Sequence, residues 1–294
     1  MENVTSKPEQ PMDSRRRFIK GATTSAIGAH LALQPQFVHA SGDETLKVGL
    51  IGCGRRGRGA VVNALMADPQ TRLVSLGDVF ADQIDESHRV FAKDAQEVSE
   101  RIDVPSERCF VGFDAYQGVI ETADVILLAS PPHFRPKHLQ ACVEANKHVF
   151  AEKPACLRTK DFASLIEKAD RKKLHVMLAL ANRLNPELIA ARKLINDGAI
   201  GKIYGLEMNL VADQTRLTRE SYRKQWYAQK KRAGGGHLIW LGIHWLDLVQ
   251  HVTGSSITEA VGFTANVGGQ PIDVEDSAAA ILKFDNGTLG TVTS

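Results

Sequence analysis

One stretch near the start of this chain constrains its fold more than any other. An apolar run from Lys47 to Ile51 leads directly into Gly52-x-Gly54-x-x-Gly57, and a segment with helical spacing follows. Gly52 permits a sharp turn of the strand, Gly54 lets backbone N–H groups approach a pyrophosphate, and Gly57 lets the helix pack close to the strand. The helix N-terminus adds unpaired donors and a partial positive charge. The stretch therefore predicts a dinucleotide-binding loop.

An acidic residue follows where such a loop needs one. The run from Arg72 to Gly77 is typical of a second strand and ends at Asp78, 26 residues after Gly52. About 20 residues are usual for the acid that binds the ribose 2′-hydroxyl. The Asp78 carboxylate favours NAD, whereas Arg55 and Arg56, next to the loop, could pair with a 2′-phosphate and leave NADP possible.

Composition limits the class of protein. The chain has 294 residues, 43% hydrophobic and 24% charged, with a formal net charge of +2. This length predicts two domains, and the charge pattern does not favour nucleic-acid binding. The four cysteines are widely spaced and form no Cys-x-x-Cys pair, so they indicate neither a zinc site nor a redox motif.

The first 40 residues have the pattern of an export signal. Paired arginines, a phenylalanine and a lysine lie within residues 14–20, an apolar stretch of small residues follows, and Val38-His39-Ala40 suits a cleavage site. This pattern resembles a twin-arginine signal, read by the twin-arginine export machinery. We expect residues 1–40 to be removed and the protein to be periplasmic or otherwise extracytoplasmic. The alternative is a basic N-terminal tail without a targeting function.

Two regions follow the signal. Residues 46–181 alternate apolar strands with helices, including one expected from Gln83 to Val98, which predicts a parallel doubly wound α/β domain. Residues 182–294 predict an α+β domain, with one helix from His237 to Val252 and a hairpin turn at Asp285-Asn286-Gly287. The sequence stops inside a strand-like run, so we expect a truncated chain.

Two strand ends bring polar residues to one edge of the first sheet. The strand from Ala123 to Ala129 leads to Pro131 and His133, and the strand from His148 to Ala151 leads to Glu152-Lys153-Pro154. Ligands bind at the carboxyl ends of parallel strands. We therefore expect Pro131, His133, Glu152 and Lys153 at the cofactor.

A segment rich in aromatic and basic residues lies in the second region. It runs from Asp213 to Ala233. It is either a solvated loop or a lid whose aromatic rings stack on a sugar. Its notable members are Arg216, Arg219, Tyr222, Arg223, Trp226, Tyr227, Lys230, Lys231 and Arg232.

Four features together resemble a known family. They are the glycine loop, Asp78, Glu152-Lys153-Pro154, and Gly234-Gly235-Gly236 leading to Gly242-Ile243-His244. The set is similar to the Gfo/Idh/MocA family of nicotinamide-dependent oxidoreductases, which includes glucose–fructose oxidoreductase and inositol dehydrogenase. The resemblance implies a Rossmann domain followed by an α+β domain with an open, mostly antiparallel sheet.

The resemblance also implies site residues. Lys153 would lie by the nicotinamide and the substrate hydroxyl, and His244 would be the general acid/base, with Lys153 as the second candidate for that role. Family members commonly carry an Asp four residues before this histidine, where this chain has Trp240. A tryptophan offers a flat apolar surface and an N–H donor to a sugar. Asn182 and Arg183, at the junction of the two regions, are further candidates for substrate contact.

The spacing around His244 leaves another possibility. His237, Trp240, His244, Asp247 and His251 recur at the helical period and are expected on one face. A metal site from His237, His244 and Asp247 is a minor alternative to an organic substrate site, and we expect no metal. In the expected role, Asp247 instead orients a neighbouring histidine or caps a loop.

We therefore expect an exported oxidoreductase that acts on a carbohydrate or cyclic polyol and retains NAD, with assembly into a homo-oligomer through the C-terminal sheet. Two alternatives remain. The chain could be a glycosidase that oxidises a ring carbon transiently and eliminates the aglycone, or a non-catalytic protein that binds nucleotide or sugar.

Overall fold

The computed structural model describes residues 45–294. The expected signal, residues 1–40, lies outside this range. Within it, two sheets account for the strands: a parallel sheet in the first region and a mixed sheet in the second. No helix in this part of the chain combines the length and apolar character needed to cross a bilayer.

The first sheet is a doubly wound parallel sheet. Its order is β3-β2-β1-β4-β5-β6, with every neighbouring pair parallel. The order reverses between β1 and β4, so the connections that follow these two strands lead to opposite faces of the sheet. They leave a crevice at the carboxyl ends of the strands, which is where such folds bind ligands. The predicted α/β class is confirmed. The strands are β1 (Leu46–Ile51), β2 (Thr71–Asp78), β3 (Cys109–Val111), β4 (Val125–Leu128), β5 (His148–Ala151) and β6 (Val176–Leu178).

Helices cover both faces of this sheet. One face buries Val61 and Leu65 of α1 with Ile84 and Phe91 of α2, and the other buries side chains of α3, α4 and α5. Because both faces are covered, the strands are continuous apolar runs. The helices are α1 (Arg55–Ala67), α2 (Ala81–Asp94), α3 (Ala115–Thr122), α4 (Arg135–Glu144) and α5 (Lys160–Arg171).

In the second region, helices, short turns and one strand precede three consecutive strands. Short 3₁₀ turns at Thr215–Thr218 and Trp226–Ala228 interrupt the aromatic and basic segment. The elements are α6 (Pro186–Asn196), β7 (Gly205–Asn209), α7 (Glu220–Arg223), α8 (Lys230–Ala233), α9 (Ile243–Thr253), β8 (Ile257–Ala265), β9 (Ser277–Phe284) and β10 (Leu289–Thr293).

The second sheet has the order β7-β10-β9-β8. The pairings of β9 with β8 and β10 are antiparallel, whereas β10 pairs with β7 in parallel. The predicted hairpin at Asp285-Asn286-Gly287 joins β9 to β10, and Gly287 has a φ of +83° there. The expectation of an open, mostly antiparallel sheet is confirmed.

The two faces of this sheet differ. Leu282, Phe284 and Val292 are buried against Leu246 and Val249 of α9. The opposite face carries exposed apolar side chains, which include Val261, Phe263, Ile281 and Leu289.

Two predicted helices differ from the structure. The helix expected from Gln83 to Val98 ends at Asp94, and a 3₁₀ segment, Gln96–Arg101, follows it. The helix expected from His237 to Val252 opens with a π-helical segment, Leu238–Gly242, before α9 begins. A π segment steps its hydrogen bonds from residue i to i+5, so the regular spacing assumed across this stretch is wrong.

Candidate active site

The glycine loop has the backbone that its sequence predicts. Gly52 has a φ of +95°, and a Cβ atom there would lie 2.6 Å from the Ser130 backbone nitrogen. At Gly57 a Cβ atom would lie 2.1 Å from the Gly52 carbonyl oxygen, so the helix packs as close to the strand as expected. A Cβ at Gly54 would meet no atom within 4 Å. The space in front of α1 is therefore open.

The N-terminus of α1 carries backbone N–H groups that can donate hydrogen bonds to a ligand. Gly54 is its N-cap and supplies no side-chain hydrogen bond. The first N–H groups of a helix lack partners within the helix, and here a phosphate can accept from them. An open space beside uncapped donors fits a pyrophosphate.

Asp78 is held firmly at the rim of the same loop. Its Oδ2 accepts from the Cys53 N–H at 2.7 Å, and its Oδ1 accepts from the Phe80 N–H at 3.0 Å. These bonds fix the carboxylate at the end of β2. Each oxygen keeps a further lone pair that can accept from a ribose hydroxyl.

A cleft of about 470 Å³ opens beside the loop. Such a volume is typical of small-molecule sites. Its lining includes Gly52, Gly54, Asp78, Pro131 and His133, and the shape and donors therefore fit a dinucleotide. Arg55, Arg56, Gly57, Glu152 and Lys153, also predicted at the cofactor, do not line this cleft.

Aromatic side chains of the cleft were missed from the sequence. Phe80 and Phe113 line it and stay largely exposed. Phe80 lies two residues after Asp78, which is a signal that could have found it. Phe113 follows β3, a strand that the sequence analysis did not identify.

Arg56 connects the loop to the Glu-Lys-Pro segment. Its guanidinium forms an ion pair with the buried carboxylate of Glu152, 96 residues away in sequence. Arg56 is therefore committed to Glu152. Both Arg55 and Arg56 are exposed at the surface, and Arg56 is the one that pairs with Glu152.

Arg135 is a buried cation that sequence reasoning missed. Burial lowers its pKa to about 10, although the Glu152 carboxylate opposes this shift. Its Nη1 donates to the Pro154 carbonyl oxygen at 2.5 Å, and the Lys153–Pro154 peptide bond is cis. Arg135 thus anchors the backbone that presents Lys153.

The Lys153 side chain reaches into the second region. Its Nζ donates to the Trp240 carbonyl oxygen at 2.5 Å and lies 5.0 Å from the centre of the Trp240 ring. Burial lowers the pKa of Lys153, Glu152 opposes that shift, and Arg135, Arg56 and Arg216 add to it.

His244 lies four residues after Trp240 and is half-buried. Burial is the main cause that lowers its pKa, and the charge of Lys153 lowers it further, against the raising effects of Glu152 and Asp247. In residues 45–294 no side chain or backbone group hydrogen-bonds its ring. The structure thus brings Lys153 and His244 into one electrostatic neighbourhood, with a neutral imidazole available to accept a proton.

Arg183 and Asp247 form an ion pair. The Arg183 Nε lies 2.9 Å from Asp247 Oδ2, and a second nitrogen contacts Oδ1. The expectation that Asp247 orients a histidine or caps a loop is wrong, since its carboxylate binds this guanidinium. Asn182, the neighbouring candidate for substrate contact, is half-buried.

The alternative metal set is not assembled. His237 is buried and hydrogen-bonds Ser294, while Asp247 pairs with Arg183. Within residues 45–294, no three His, Cys, Asp or Glu side chains lie together as metal ligands.

The aromatic and basic segment covers this site. Trp226 lines the cleft and lies 5.5 Å, between ring centres, from Trp240. Tyr227 lies 5.6 Å from Trp240 and 4.5 Å from Tyr222. We call Tyr222, Trp226, Tyr227 and Trp240 the aromatic cluster. It joins the cleft to Lys153, and its role as a lid stays a prediction.

The triple glycine lets the chain pass close to the residues that precede β9. A Cβ at Gly236 would lie 1.8 Å from the Glu275 carbonyl oxygen, and the His237 N–H donates to that oxygen at 3.1 Å. Only glycine fits this position, which sets where the Leu238–Gly242 segment begins.

Two family models match the chain. One, described as an oxidoreductase family with an NAD-binding Rossmann fold, matches residues 46–180. The other, described as a GFO/IDH/MocA C-terminal domain, matches residues 188–294. Together they cover most of the described chain.

Similar proteins include two characterised dehydrogenases. Levoglucosan dehydrogenase of Pseudarthrobacter phenanthrenivorans is 26% identical over 200 residues, covering 60% of this chain and 51% of that protein. Myo-inositol 2-dehydrogenase of Thermotoga maritima is 24% identical over 252 residues, covering 84% of this chain and 67% of that protein. The chain thus spans between half and two thirds of these relatives.

A solved structure shares the fold. An oxidoreductase domain protein from Kribbella flavida superimposes with a TM-score of 0.72 at 23% identity, covering 85% of this chain and 67% of that one.

Proposed function

Because this chain belongs to the GFO/IDH/MocA family of NAD-binding oxidoreductases, we propose that it oxidises a hydroxyl group of a sugar or cyclic polyol. The observation that carries the proposal is the hydrogen bond of Lys153 to Trp240, four residues before His244, together with the effect of the Lys153 charge on the pKa of His244. When bound, the nicotinamide supplies the acceptor for the hydride of the substrate carbon.

The first region holds the cofactor in this proposal. The N–H groups of the glycine loop bind the pyrophosphate, and the fixed carboxylate of Asp78 accepts from the adenosine ribose. Arg56 acts indirectly, because it holds Glu152 and so places Lys153. Of the residues predicted at the cofactor, Gly52, Gly54, Asp78, Pro131 and His133 line the cleft. Contact of Arg55, Arg56, Gly57, Glu152 and Lys153 with the cofactor stays a prediction.

His244 is the general base. Its lowered pKa leaves the imidazole neutral at pH 7, so it can take the proton of the substrate hydroxyl. The Lys153 ammonium lies close enough to influence that titration, and its charge stabilises the alkoxide that forms as the proton leaves. Proton removal and charge stabilisation are thus divided between the two residues.

Trp240 takes part in two ways. Its carbonyl oxygen holds Lys153, and its indole, half-buried among Lys153, Trp226 and Tyr227, leaves only part of its surface for a sugar. Asn182 borders the substrate. Arg183 pairs with Asp247 on α9, and its contact with the sugar stays a prediction.

The test is direct. The purified protein is assayed for bound nucleotide and then for nicotinamide reduction with a panel of sugars and inositols. Sugar-dependent reduction supports the oxidoreductase proposal. Release of an aglycone without net nicotinamide reduction would instead favour the glycosidase, and bound nucleotide without any reaction would favour a binding protein.

We further propose that the protein is exported by the twin-arginine route with its cofactor bound and recycled in the site. The supporting observation is the arginine pattern of residues 15–17. Replacing all three arginines with lysine should retain the precursor in the cytoplasm in cell fractionation. Mature protein outside the cytoplasm in that variant would contradict the proposal.

The exposed apolar face of the second sheet supports a homo-oligomer. Val261 and Phe263 are 75% and 86% exposed, and such a patch favours burial against another surface. Light scattering of the wild type and of Phe263→Lys tests this assembly. A monomer in both would contradict it.

A further inference from the structure

Arg216 carries a charge that no carboxylate neutralises in residues 45–294. Its guanidinium carbon lies 5.7 Å from the centre of the Tyr222 ring, and its Nε is buried without a hydrogen-bond partner. The Asp213 oxygens accept hydrogen bonds from the backbone N–H and the hydroxyl of Thr215, which lower the pKa of Asp213, and the charge of Arg216 helps to lower it. Arg216 thus has an aromatic contact and no anionic one.

Lys153 is a second cation whose hydrogen-bond partner is not a carboxylate. It donates to a neutral carbonyl, that of Trp240, while the adjacent carboxylate of Glu152 binds Arg56. The aromatic cluster connects the two cations, because Lys153 lies over the Trp240 ring and Arg216 lies over the Tyr222 ring. Both charges therefore border one aromatic surface beside the proposed base.

The two cations are close enough to repel. The charge of Arg216 contributes to the lowered pKa of Lys153 and to that of His237. The Nε2 atom of His237 is also buried and without a partner. The neighbourhood therefore has an unused donor in the Nε of Arg216 and two cations that repel each other, while the Glu275 carboxylate acts on His237 with the opposite sign. Like charges left unpaired in a partly buried site cost free energy unless an anion binds there.

We propose that the sugar or polyol taken by this site carries a carboxylate, as uronic and aldonic acids do, and that Arg216 binds it. The inference rests on the proposed function and names its substrate class. A guanidinium matches a carboxylate with two parallel hydrogen bonds, which the single ammonium of Lys153 does not do. Lys153 then remains beside the reacting hydroxyl.

Matched sugar pairs test the proposal. Binding of methyl β-D-glucuronide and methyl β-D-glucoside, which differ only at C6, is measured by calorimetry with and without NAD, and the galactose pair is measured in the same way. Hydrogen bonds to charged groups support a preference of about 10- to 100-fold for the acid. Arg216→Gln should abolish that preference, because the affinity for the acid falls by far more than the affinity for the neutral glycoside.

Arg219→Gln is the matched control. Arg219 lies three residues away in the same segment and is exposed, so this variant should keep the preference. Thermal melting and nucleotide binding of both variants show whether each is folded. If Arg216→Gln does not fold, the wild-type protein still tests whether a carboxylate is preferred. The acid should then bind more tightly than the neutral glycoside, and this preference should weaken as salt is added.

Several results would overturn the proposal. These are equal binding of acid and neutral glycoside by the wild type, an unchanged preference in Arg216→Gln, or tighter binding of glucose 6-phosphate than of glucuronate. Oxidation of neutral glycosides alone would overturn it while leaving the oxidoreductase function standing. A wild type that binds no nucleotide would contradict the proposed function, whereas the binding measured without NAD would still report on the carboxylate.

Discussion

The ammonium of Lys153 donates a hydrogen bond to the carbonyl oxygen of Trp240, with 2.5 Å between nitrogen and oxygen. The two residues are 87 positions apart and belong to different regions of the chain. This bond places a cation from the edge of the first sheet at a residue four positions before His244 in the second region. The proposed chemistry depends on that placement.

Replacing His244 separates binding from chemistry. Loss of a general base lowers rates by about 10²- to 10⁴-fold, so His244→Ala should lose nearly all turnover and keep its nucleotide. Steady-state kinetics and nucleotide titration measure the two properties. His251→Ala, two turns further along α9, is the control and should retain activity. Full turnover in His244→Ala would remove the histidine from the mechanism.

The pH profile should reveal the influence of Lys153 on His244. The base works when deprotonated, so activity rises with pH through the pKa of His244, which lies below its usual 6.5. Lys153→Met removes a charge that lowers this pKa. The pKa should then rise, and the acid limb of kcat/KM should move to higher pH. A limb that does not move, or moves to lower pH, would contradict the assignment.

Asp78 should decide between the two nicotinamide dinucleotides. Asp78→Asn removes the charge that repels a 2′-phosphate, so the preference for NAD over NADP should fall by about tenfold or more, the scale of a hydrogen bond to a charged group. Fluorescence titration with both nucleotides measures it. Asp82→Asn, exposed on α2, is the control. NADP extracted from the wild-type protein would show that Asp78 does not select NAD.

Two glycines of α1 make a matched pair. Gly57→Ala forces a Cβ to within 2.1 Å of the Gly52 carbonyl oxygen, so it should distort the loop and weaken nucleotide binding by about tenfold or more. Gly59→Ala meets nothing within 4 Å and should stabilise the helix by about 0.5–1 kcal/mol. Thermal melting and nucleotide titration compare them. Equal effects of the two changes would contradict the role of Gly57.

The sequence by itself determined the features that depend on local backbone. The turns at Gly52 and Gly287 follow from conformations that glycine adopts without strain, and the close packing at Gly57 follows from its lack of a Cβ atom. The alternating apolar runs determined the parallel sheet, because buried strands and covering helices have different periods. Lys153 and His244 were predicted as site residues from the family resemblance.

Short and irregular elements could not be predicted from the pattern of apolar residues. Strand β3 has three residues, none of them fully buried, so no apolar run marks it. The π-helical segment before α9 uses the same residue types as an ordinary turn and changes only the hydrogen-bond step. Neither feature has a periodic signature in the sequence.

Only the tertiary structure decided which charges are paired. Arg56 binds Glu152 and Arg183 binds Asp247, while Arg216 and Lys153 meet aromatic rings and a carbonyl oxygen. Composition counts these charges but does not say which are neighbours, because pairing depends on distances of a few ångströms between residues that the fold brings together. The position of these cations beside the site, from which a charged substrate is proposed, therefore depends on the fold.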